Sequence, residues 1–411
     1  GFKFYKERFY QGEVMYACEV LMVGSGIVGL TIARELLQQG VDQIILLEKE
    51  AGLGLHSSGR NSGVLHAGIY YPPHTLKAQL CLKGNRMLQD YCRQNNLPLL
   101  NTGKIVVAQN ESELPVLLQI YDRAKENGAH VELVDEQRLS TIEPYAKTYQ
   151  KAIYSHYTAV IDPPAILRSL QQELIQSKRV KFLFKTKFES MHSEFIANTT
   201  NGRIHFKQLI NTAGAYADSI AHNFGLGYEY YFIPFKGIYY RLVSEKAHLV
   251  KGNIYPVPHL DHPFLGVHFT KSIQGDVYVG PTAIPAFGRE HYGRLRGMDW
   301  EFFKIIANEI ILFCSNQAFR NVALTEIRKY TSTYFFNDAN KIVKELQRSW
   351  LMPTSKVGIR PQLIDLKKKP LLMDFLILKE RHTLHILNAI SPAFTSSMAF
   401  AKHIVQNYLQ R

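Results

Sequence analysis

The stretch CEVLMVGSGIVGLTIARELLQQG, residues 18–40, decides the fold of this chain. A short apolar run leads into three glycines spaced as GxGxxG, and an amphipathic helical pattern follows and ends at Gly40. This order of strand, glycine turn and helix is typical of dinucleotide-binding folds, whose helix N-terminus favours phosphates. Gly24 permits the tight turn, Gly26 lets the backbone approach a pyrophosphate, and Gly29 allows the helix to pack closely on the strand.

A second apolar run completes the nucleotide signature. DQIILLEKE, residues 42–50, reads as a strand that finishes in Glu48, 19 residues after Gly29. A carboxylate at this position suits two free ribose hydroxyls and would repel a 2′-phosphate. The arrangement therefore predicts a dinucleotide site, and it leaves FAD and NAD as alternatives.

The segment HSSGRNSGVLHAGIYY, residues 56–71, helps to separate these two cofactors. Its first half fits neither the helical nor the strand period, and a nicotinamide enzyme has no need of such an insertion after the second strand. Small hydroxyl residues and glycines there favour hydrogen bonds to phosphate or flavin edges, with a capped surface loop as the alternative. The cofactor-binding residues expected in this segment are Ser57, Ser58, Arg60, Asn61, Ser62 and Gly63.

The composition limits the binding partners and the cellular location that we expect for the protein. The chain has 411 residues and a formal net charge of +13, which favours anionic substrates, phosphates, nucleic acid or an acidic membrane face. The four cysteines have no metal-binding spacing and are too sparse for a disulfide framework, and we predict no metal site. We expect a cytoplasmic protein, with peripheral contact to the inner face of a membrane as the alternative.

Several blocks together resemble one branch of a known family. They are MVGSGIVGL, LLEKE, HSSGRNSGVLHAGIYYPPHTLKAQLC, NTAGAYAD, IYPVP, PFLGVHFT and NAISPAFTSS. This set is similar to the L-2-hydroxyglutarate dehydrogenase/oxidase branch of the D-amino-acid-oxidase-like FAD-dependent oxidoreductases, from about residue 18 to the C-terminus. The resemblance implies FAD as cofactor and oxidation of L-2-hydroxyglutarate to 2-oxoglutarate, with a quinone, O2 or a carrier protein as alternative electron acceptors.

The chain departs from that branch at two places. FKGIYY, residues 235–240, stands where FRGEYY is expected, so that Lys236 and Ile238 replace an arginine and an acid. Thr282 stands in GPTAIPAF where the branch usually has asparagine. Because lysine lacks the two-pronged geometry with which arginine binds carboxylates, these departures bear on substrate preference more than on the cofactor.

We expect an α/β fold, α+β overall, with a Rossmann-like FAD-binding domain that is interrupted in sequence. Helical patterns at 76–96 and 163–176, the latter begun by Asp162 as N-cap, and strand-rich sequence from 227 to 298 support this division. The apolar patterns after residue 299 predict core helices of a cap, with a membrane-facing patch as the alternative. The expected FAD-binding domain comprises residues 17–90, 150–226 and 350–411, and the mixed-sheet substrate domain comprises 91–149 and 227–349.

Oxidation of a 2-hydroxy acid requires a base for the hydroxyl proton and cations for the carboxylates. Among the histidines His56, His66 and His268, we predict catalytic roles for His66, in the glycine-rich segment, and for His268, after PFLG. Arg360 in SKVGIRPQ is the first choice for binding a carboxylate. The further substrate-binding candidates are Tyr70, Lys236 and Tyr239, and the further cofactor candidates are Gly214, Ser396 and Ser397.

Other functions stay open at this point. An FAD-dependent amino-acid or glycerol-3-phosphate oxidase would use the same cofactor geometry with different anion-binding residues. The positive charge also permits a flavin-dependent RNA-modifying protein, although nothing beyond charge supports a nucleic-acid partner. A flavin-bound scaffold without turnover is the non-enzymatic alternative.

Overall fold

The structure, a computed structural model, describes residues 8–10, 13–259, 265–286, 288–290, 292, 302–315, 317–328, 332–367, 371–389 and 391–409. The strands within these residues are, in chain order, β1 (Arg8–Tyr10), β2 (Glu13–Ala17), β3 (Val20–Val23), β4 (Ile44–Leu47), β5 (Val64–Leu65), β6 (Leu99–Leu100), β7 (Lys104–Val107), β8 (Val131–Asp135), β9 (Lys151–Ser155), β10 (Ala159–Ile161), β11 (Val180–Leu183), β12 (Phe188–Ser193), β13 (Ile196–Thr199), β14 (Gly202–His205), β15 (Gln208–Asn211), β16 (Tyr230–Leu242), β17 (Asn253–Pro256), β18 (His268–Lys271), β19 (Val277–Gly280), β20 (Ile284–Pro285), β21 (Leu351–Asp365), β22 (Ile377–Glu380) and β23 (Thr383–Ile386). The α-helices are α1 (Ile27–Gln38), α2 (Leu76–Gln94), α3 (Leu114–Glu126), α4 (Glu136–Ile142), α5 (Pro163–Gln176), α6 (Ala217–His222), α7 (Phe302–Ser315), α8 (Gln317–Arg328), α9 (Ser332–Ile342) and α10 (Ala393–Tyr408).

The nucleotide-binding pattern forms a six-stranded sheet in the order β11-β4-β3-β15-β23-β22. All neighbours pair in parallel except β22, which runs antiparallel to β23 at the edge. Strands β3 and β4, VLMV and IILL, are buried throughout, as parallel strands covered on both faces require. The expected Rossmann-like sheet, assembled from distant parts of the chain, is confirmed.

Helices cover this sheet where their apolar patterns predict. Residues of α1, α2, α5 and α10 share one hydrophobic core with β3 and β4. Helix α5 begins at Pro163, and the Asp162 side chain accepts a hydrogen bond from the Ala165 backbone N–H at 3.3 Å. This is the N-cap that the sequence predicts, because a carboxylate satisfies a donor that the first helical turn leaves open.

The substrate-side sheet is larger and mixed. Its order is β20-β16-β19-β18-β17-β7-β9-β8, and β21 also pairs with β16. Most pairs are antiparallel, but β17 runs parallel to β7. From the sequence, we expect the segments that start at residues 150 and 350 to belong to the FAD-binding domain. Both segments begin with a strand of the mixed sheet, because β9 pairs with β7 and β8, and β21 pairs with β16.

The apolar helices after residue 299 pack on this sheet along part of their surface. Phe319 of α8 packs on Phe235 of β16, with ring centroids 5.9 Å apart, and Phe335 of α9 is buried against another part of the sheet. Phe303 and Ile310 of α7 are exposed, and the membrane-facing patch stays a prediction. No helix within the described residues is long and apolar enough to cross a membrane.

The four cysteines, Cys18, Cys81, Cys92 and Cys314, are free thiols.

Candidate active site

A cavity of about 810 Å³ is lined by residues of both large sheets. This volume lies in the range of cofactor and ligand sites. We call the lining from residues 23–28, 47–49, 54–62 and 212–216 the nucleotide wall. The residues His66, Tyr239, Tyr255, His268 and Arg360 are called the substrate wall.

The glycine turn forms the centre of the nucleotide wall. Gly24 has φ +105°, which favours glycine, and Gly24, Ser25 and Gly26 line the cavity. Gly29 lies outside the lining, where a Cβ atom would be 2.2 Å from the Gly24 carbonyl oxygen. Helix α1 begins at Ile27, and its first residues Ile27 and Val28 line the cavity, so the positive end of the helix lies at this space, as anion binding at a helix N-terminus requires.

Glu48 follows β4 directly and lines the cavity. Its Oε1 accepts a hydrogen bond from the Glu50 backbone N–H at 3.0 Å, which fixes the carboxylate at the end of the strand. Burial raises the pKa of this carboxyl group above its ordinary value. Glu48 is therefore placed to accept hydrogen bonds from the hydroxyl groups of a ribose.

The segment after β4 contributes Ser57, Ser58, Arg60, Asn61 and Ser62 to the cavity lining. Ser58 Oγ accepts a hydrogen bond from the Ile27 backbone N–H at 3.0 Å, which ties this segment to the first turn of α1.

Gly63 lies outside the lining. It has φ +74°, and a Cβ atom there would be 2.7 Å from the Ile161 carbonyl oxygen. Its place in the motif therefore reflects backbone packing rather than direct contact with the cavity.

The C-terminal helix brings a different residue to the cavity than the sequence suggests. Pro392 to Thr395, at the start of α10, line the cavity, whereas Ser396 and Ser397 are fully buried outside the lining. Thr395 Oγ1 accepts a hydrogen bond from the His66 backbone N–H at 3.2 Å. The block NAISPAFTSS therefore locates the right helix start, but Thr395 takes the position expected of the two serines. Gly214, which has φ +57°, lines the cavity as expected.

Two strands and a loop assemble the histidine side of the substrate wall. His268 begins β18, Tyr255 lies in β17, and His66 directly follows β5. The rings of Tyr255 and His268 stack with centroids 3.9 Å apart. His268 Nδ1 lies 2.7 Å from the Gly266 carbonyl oxygen.

A carbonyl oxygen can only accept a hydrogen bond, so His268 Nδ1 carries the proton and Nε2 keeps its lone pair. Burial lowers the pKa of His268 to about 4, and it also lowers the pKa of His66 well below the ordinary value. Both imidazoles are therefore uncharged at neutral pH and able to accept a proton.

Arg360 is the cation of the substrate wall. It lies in β21 opposite Phe235 of β16, and it lines the cavity together with Gly358 and Ile359. Burial lowers the pKa of its guanidinium to about 10, which still leaves it charged at neutral pH. A half-buried guanidinium of this kind suits a carboxylate, because its planar N–H groups can form two parallel hydrogen bonds.

Two predicted substrate contacts lie outside the cavity lining. Lys236 sits in β16 between Phe235 and Gly237, and both of these neighbours line the cavity whereas Lys236 does not. Successive side chains of a strand point to opposite faces, which accounts for this alternation. Tyr70 also lies behind the lining, whereas Tyr239 reaches the cavity as expected.

The two departures from the family pattern consequently differ in position. Lys236 and Ile238 stand outside the lining, and Thr282 stands within it. Thr282 Oγ1 accepts a hydrogen bond from the Ile238 backbone N–H at 3.1 Å, so its side chain also links two parts of the substrate-side sheet.

At the nucleotide wall, His56 contacts Tyr292, which is distant in sequence and also lines the cavity. No sequence motif indicates this contact. His56 Nδ1 lies 2.9 Å from the Tyr292 hydroxyl oxygen, and His56 Nε2 lies 3.0 Å from Glu50 Oε1. Glu290 accepts hydrogen bonds from Lys49 and, at 2.8 Å, from the Tyr216 hydroxyl. The Lys49 ammonium group balances both carboxylates in this cluster.

Comparisons with known proteins agree with this geometry. The family whose model matches residues 19–407 is described as FAD dependent oxidoreductase. The L-2-hydroxyglutarate dehydrogenase of Indibacter alkaliphilus is 33% identical over 407 residues, covering 96% of this chain and 99% of that protein. The human protein named L-2-hydroxyglutarate dehydrogenase, mitochondrial, is 34% identical over 419 residues, covering 96% of this chain and 89% of that protein.

Solved structures show the same fold. The L-α-glycerophosphate oxidase from Mycoplasma pneumoniae with FAD bound has a TM-score of 0.73 at 22% identity, covering 96% of this chain and 95% of that one. Glycine oxidase from Geobacillus kaustophilus has a TM-score of 0.71 at 16% identity, covering 95% and 94%.

Proposed function

Since this chain belongs to the family of FAD-dependent oxidoreductases and has FAD as its cofactor, we propose that it oxidises L-2-hydroxyglutarate to 2-oxoglutarate. The observation that carries the proposal is that two uncharged histidines and a half-buried arginine line the same cavity as the glycine turn. The relatives named L-2-hydroxyglutarate dehydrogenase, which align over nearly all of the chain, support the choice of substrate.

The residues present fit FAD. The first turn of α1 and the start of α10 both lie at the cavity, and a Cβ atom on Gly26 would be 3.0 Å from Ser58 Oγ, in the space needed for phosphate approach. Glu48 would hold the adenosine ribose. When bound, FAD would supply the two-electron oxidant that accepts a hydride from the substrate α-carbon.

Arg360 binds a carboxylate of the substrate in this proposal. Arg360 is half-buried, so its interaction with an anion is screened less than that of a fully exposed arginine. His66, His268 and Arg360 all line the same cavity, so a 2-hydroxy acid bound by Arg360 shares this space with both histidines.

His268 takes the hydroxyl proton of the substrate. The hydrogen bond from Nδ1 to the Gly266 carbonyl leaves Nε2 as a proton acceptor and fixes the orientation of the ring. The stacked ring of Tyr255 holds the imidazole from one face. Sequence reasoning favours His66, and this geometry favours His268 with His66 as the alternative base.

The test is an anaerobic titration of the purified, FAD-loaded protein, followed by the loss of oxidised-flavin absorbance. We expect L-2-hydroxyglutarate to reduce the flavin faster than L-lactate does, because a second carboxylate gains contacts in a cationic cavity that a methyl group cannot make. Equal rates for both acids would indicate a general 2-hydroxy-acid oxidase. Faster reduction by glycerol 3-phosphate or by amino acids would overturn the proposed substrate.

Reoxidation identifies the class of electron acceptor in the same experiment. The reduced protein is mixed separately with air-saturated buffer and with a soluble quinone, and the return of flavin absorbance is timed. A quinone that restores the absorbance much faster than O2 would classify the protein as a dehydrogenase rather than an oxidase.

A further inference from the structure

A lysine lies buried directly behind the substrate wall. Lys104, in β7, is 1% exposed, and its Nζ has no hydrogen-bond partner within the described part of the chain. Its ammonium group lies 4.5 Å from the ring centroid of Tyr70 and 4.8 Å from that of Tyr255. Two aromatic faces thus take the place of the anion or hydrogen-bond acceptors that a buried lysine normally requires.

The surroundings of Lys104 hold little compensating negative charge. Burial lowers the pKa of Lys104 to about 7. The thiol of Cys81 acts on it electrostatically, but burial raises the pKa of that thiol to about 12, so the thiol is uncharged at neutral pH. Lys104 therefore gains and loses its proton near neutral pH, and when it is protonated no hydrogen-bonded anion among the described residues offsets its charge.

Those neighbours include both cavity histidines. Tyr255, whose ring lies beside Lys104, also stacks on His268, and His66 lies within the electrostatic reach of both Lys104 and His268. After burial, the positive charge of Lys104 contributes to the low pKa of His66 and of His268. A ring such as Tyr255 would otherwise favour an imidazolium beside it, and the ammonium group opposes this by like-charge repulsion.

We propose that Lys104 is a positioning residue for the proposed oxidation: its ammonium group, held between Tyr70 and Tyr255 behind the substrate wall, opposes protonation of His66 and His268 and so extends to lower pH the range in which they accept the substrate hydroxyl proton. The inference rests on the proposed function for its role in turnover. The effect of Lys104 on the pKa values of His66 and His268 does not depend on the substrate.

Loss of the Lys104 charge should raise the pKa values of the two histidines, because Lys104 binds a proton before they do. As the pH falls, the first proton taken up by this group of side chains binds Lys104, and a second proton on a neighbouring imidazole is then disfavoured. Without the lysine charge, the imidazoles bind protons at higher pH. The base would then be lost on the acidic side of neutrality and kept on the alkaline side.

The experiment compares three FAD-loaded variants with the unaltered protein. Lys104→Met keeps the length of the side chain without its charge, and Lys104→Arg keeps the charge. Lys356→Met is the matched control, because Lys356 also lies beside two tyrosine rings, Tyr278 at 4.2 Å and Tyr239 at 5.3 Å, but does not contribute to the pKa of either histidine.

The first readout is the imidazole pKa measured by NMR with histidine labelled at Cε1. The signals are assigned with His66→Gln and His268→Gln. We expect Lys104→Met to raise the pKa of His268, His66 or both by roughly one unit, the effect of removing a nearby charge. Lys104→Arg and Lys356→Met should leave both values close to those of the unaltered protein. Unchanged histidine pKa values in a folded Lys104→Met protein would overturn the proposal.

The second readout is the pH profile of flavin reduction by L-2-hydroxyglutarate. The acidic limb should move to higher pH in Lys104→Met, with rates above pH 8 changed by less than about twofold. If L-2-hydroxyglutarate fails to reduce the flavin while the histidine pKa values still shift, the proposed substrate fails and the electrostatic role stands. If Lys104→Met does not fold, titration of the unaltered protein decides: an imidazole at position 66 or 268 that protonates before Lys104 contradicts the inference.

Discussion

The nucleotide wall and the substrate wall of the cavity differ in which part of the chain lines them. The nucleotide wall is formed by residues from short contiguous segments, among them 24–26 and 60–62. The substrate wall consists of side chains from four strands and a loop, and the residues farthest apart in it, His66 and Arg360, are separated by most of the chain. The first wall depends on space close to the backbone, and the second depends on the register of paired strands.

This difference predicts which substitutions each wall tolerates. A backbone-lined wall accepts many side chains that point away from the ligand, but it fails when a Cβ atom fills the close approach of two segments. A wall built from side chains keeps its shape after a single substitution and loses only the contact that was removed. The variants below separate these two modes of failure.

The largest effect is expected from Gly29→Ala, directly behind the glycine turn of the nucleotide wall. The new Cβ atom would meet the Gly24 carbonyl oxygen at 2.2 Å, so α1 must move away from the glycine turn. We expect loss of FAD and a fall in the free energy of unfolding of about 2 kcal/mol or more. Flavin content and thermal unfolding measure both. Gly52→Ala is the control, because a Cβ atom there meets nothing within 4 Å, and a yellow, stable Gly29→Ala protein would contradict the packing argument.

The next effect is expected from the base of the substrate wall. His268→Gln should lower the rate of flavin reduction by roughly 10²- to 10⁴-fold while substrate affinity is largely kept, since proton transfer contributes in the transition state. Stopped-flow measurements on the FAD-loaded variant give both quantities. His66→Gln is measured in parallel: a collapse of the rate in that variant, with a normal rate in His268→Gln, would move the base assignment to His66.

A smaller effect is expected from Arg360→Met. Loss of a charge-assisted contact with a carboxylate should weaken binding by about 1.5 to 3 kcal/mol, which raises the dissociation constant of 2-oxoglutarate by roughly tenfold to a hundredfold. Flavin content should not change. Binding is followed by the perturbation of the flavin spectrum during titration with the product, and unaltered affinity would remove Arg360 from the substrate wall.

The smallest effect is expected where the chain departs from the family pattern. Lys236 lies outside the cavity lining, so Lys236→Arg should change the dissociation constant of 2-oxoglutarate by less than about twofold. Thr282→Asn, at a lining position, provides the comparison. A larger change in Lys236→Arg than in Thr282→Asn would show that β16 presents its other face to the substrate.

The sequence predicts the nucleotide wall well because its signals are local. The spacing of Gly24, Gly26 and Gly29, and the N-cap at Asp162, each depend on residues within one or two turns of one another. The convergence of His66, His268 and Arg360 could be expected only from resemblance, because their meeting depends on pairing between strands far apart in sequence.

The misplaced expectations have the same physical origin. The alternation in β16 indicates two faces, but pairing with β21 and packing against the neighbouring helices decide which face meets the cavity, and Lys236 lies outside the lining. Thr395 replaces Ser396 and Ser397 at the cavity because a shift of one residue along a helix rotates the side chain by about a quarter turn. The contact between His56 and Tyr292 has no local pattern at all.

The pairing of β23 with β15 has a consequence for how the protein is made. The Rossmann-like sheet receives β23 and the covering helix α10 from the last part of the chain, after the whole substrate-side sheet has been synthesised. A nascent chain on the ribosome thus holds the glycine turn from an early stage but lacks the strand and helix that complete its sheet. We therefore expect flavin capture to follow the synthesis of β23 and α10, and a polypeptide truncated before residue 383 to be colourless although it contains the entire GxGxxG motif.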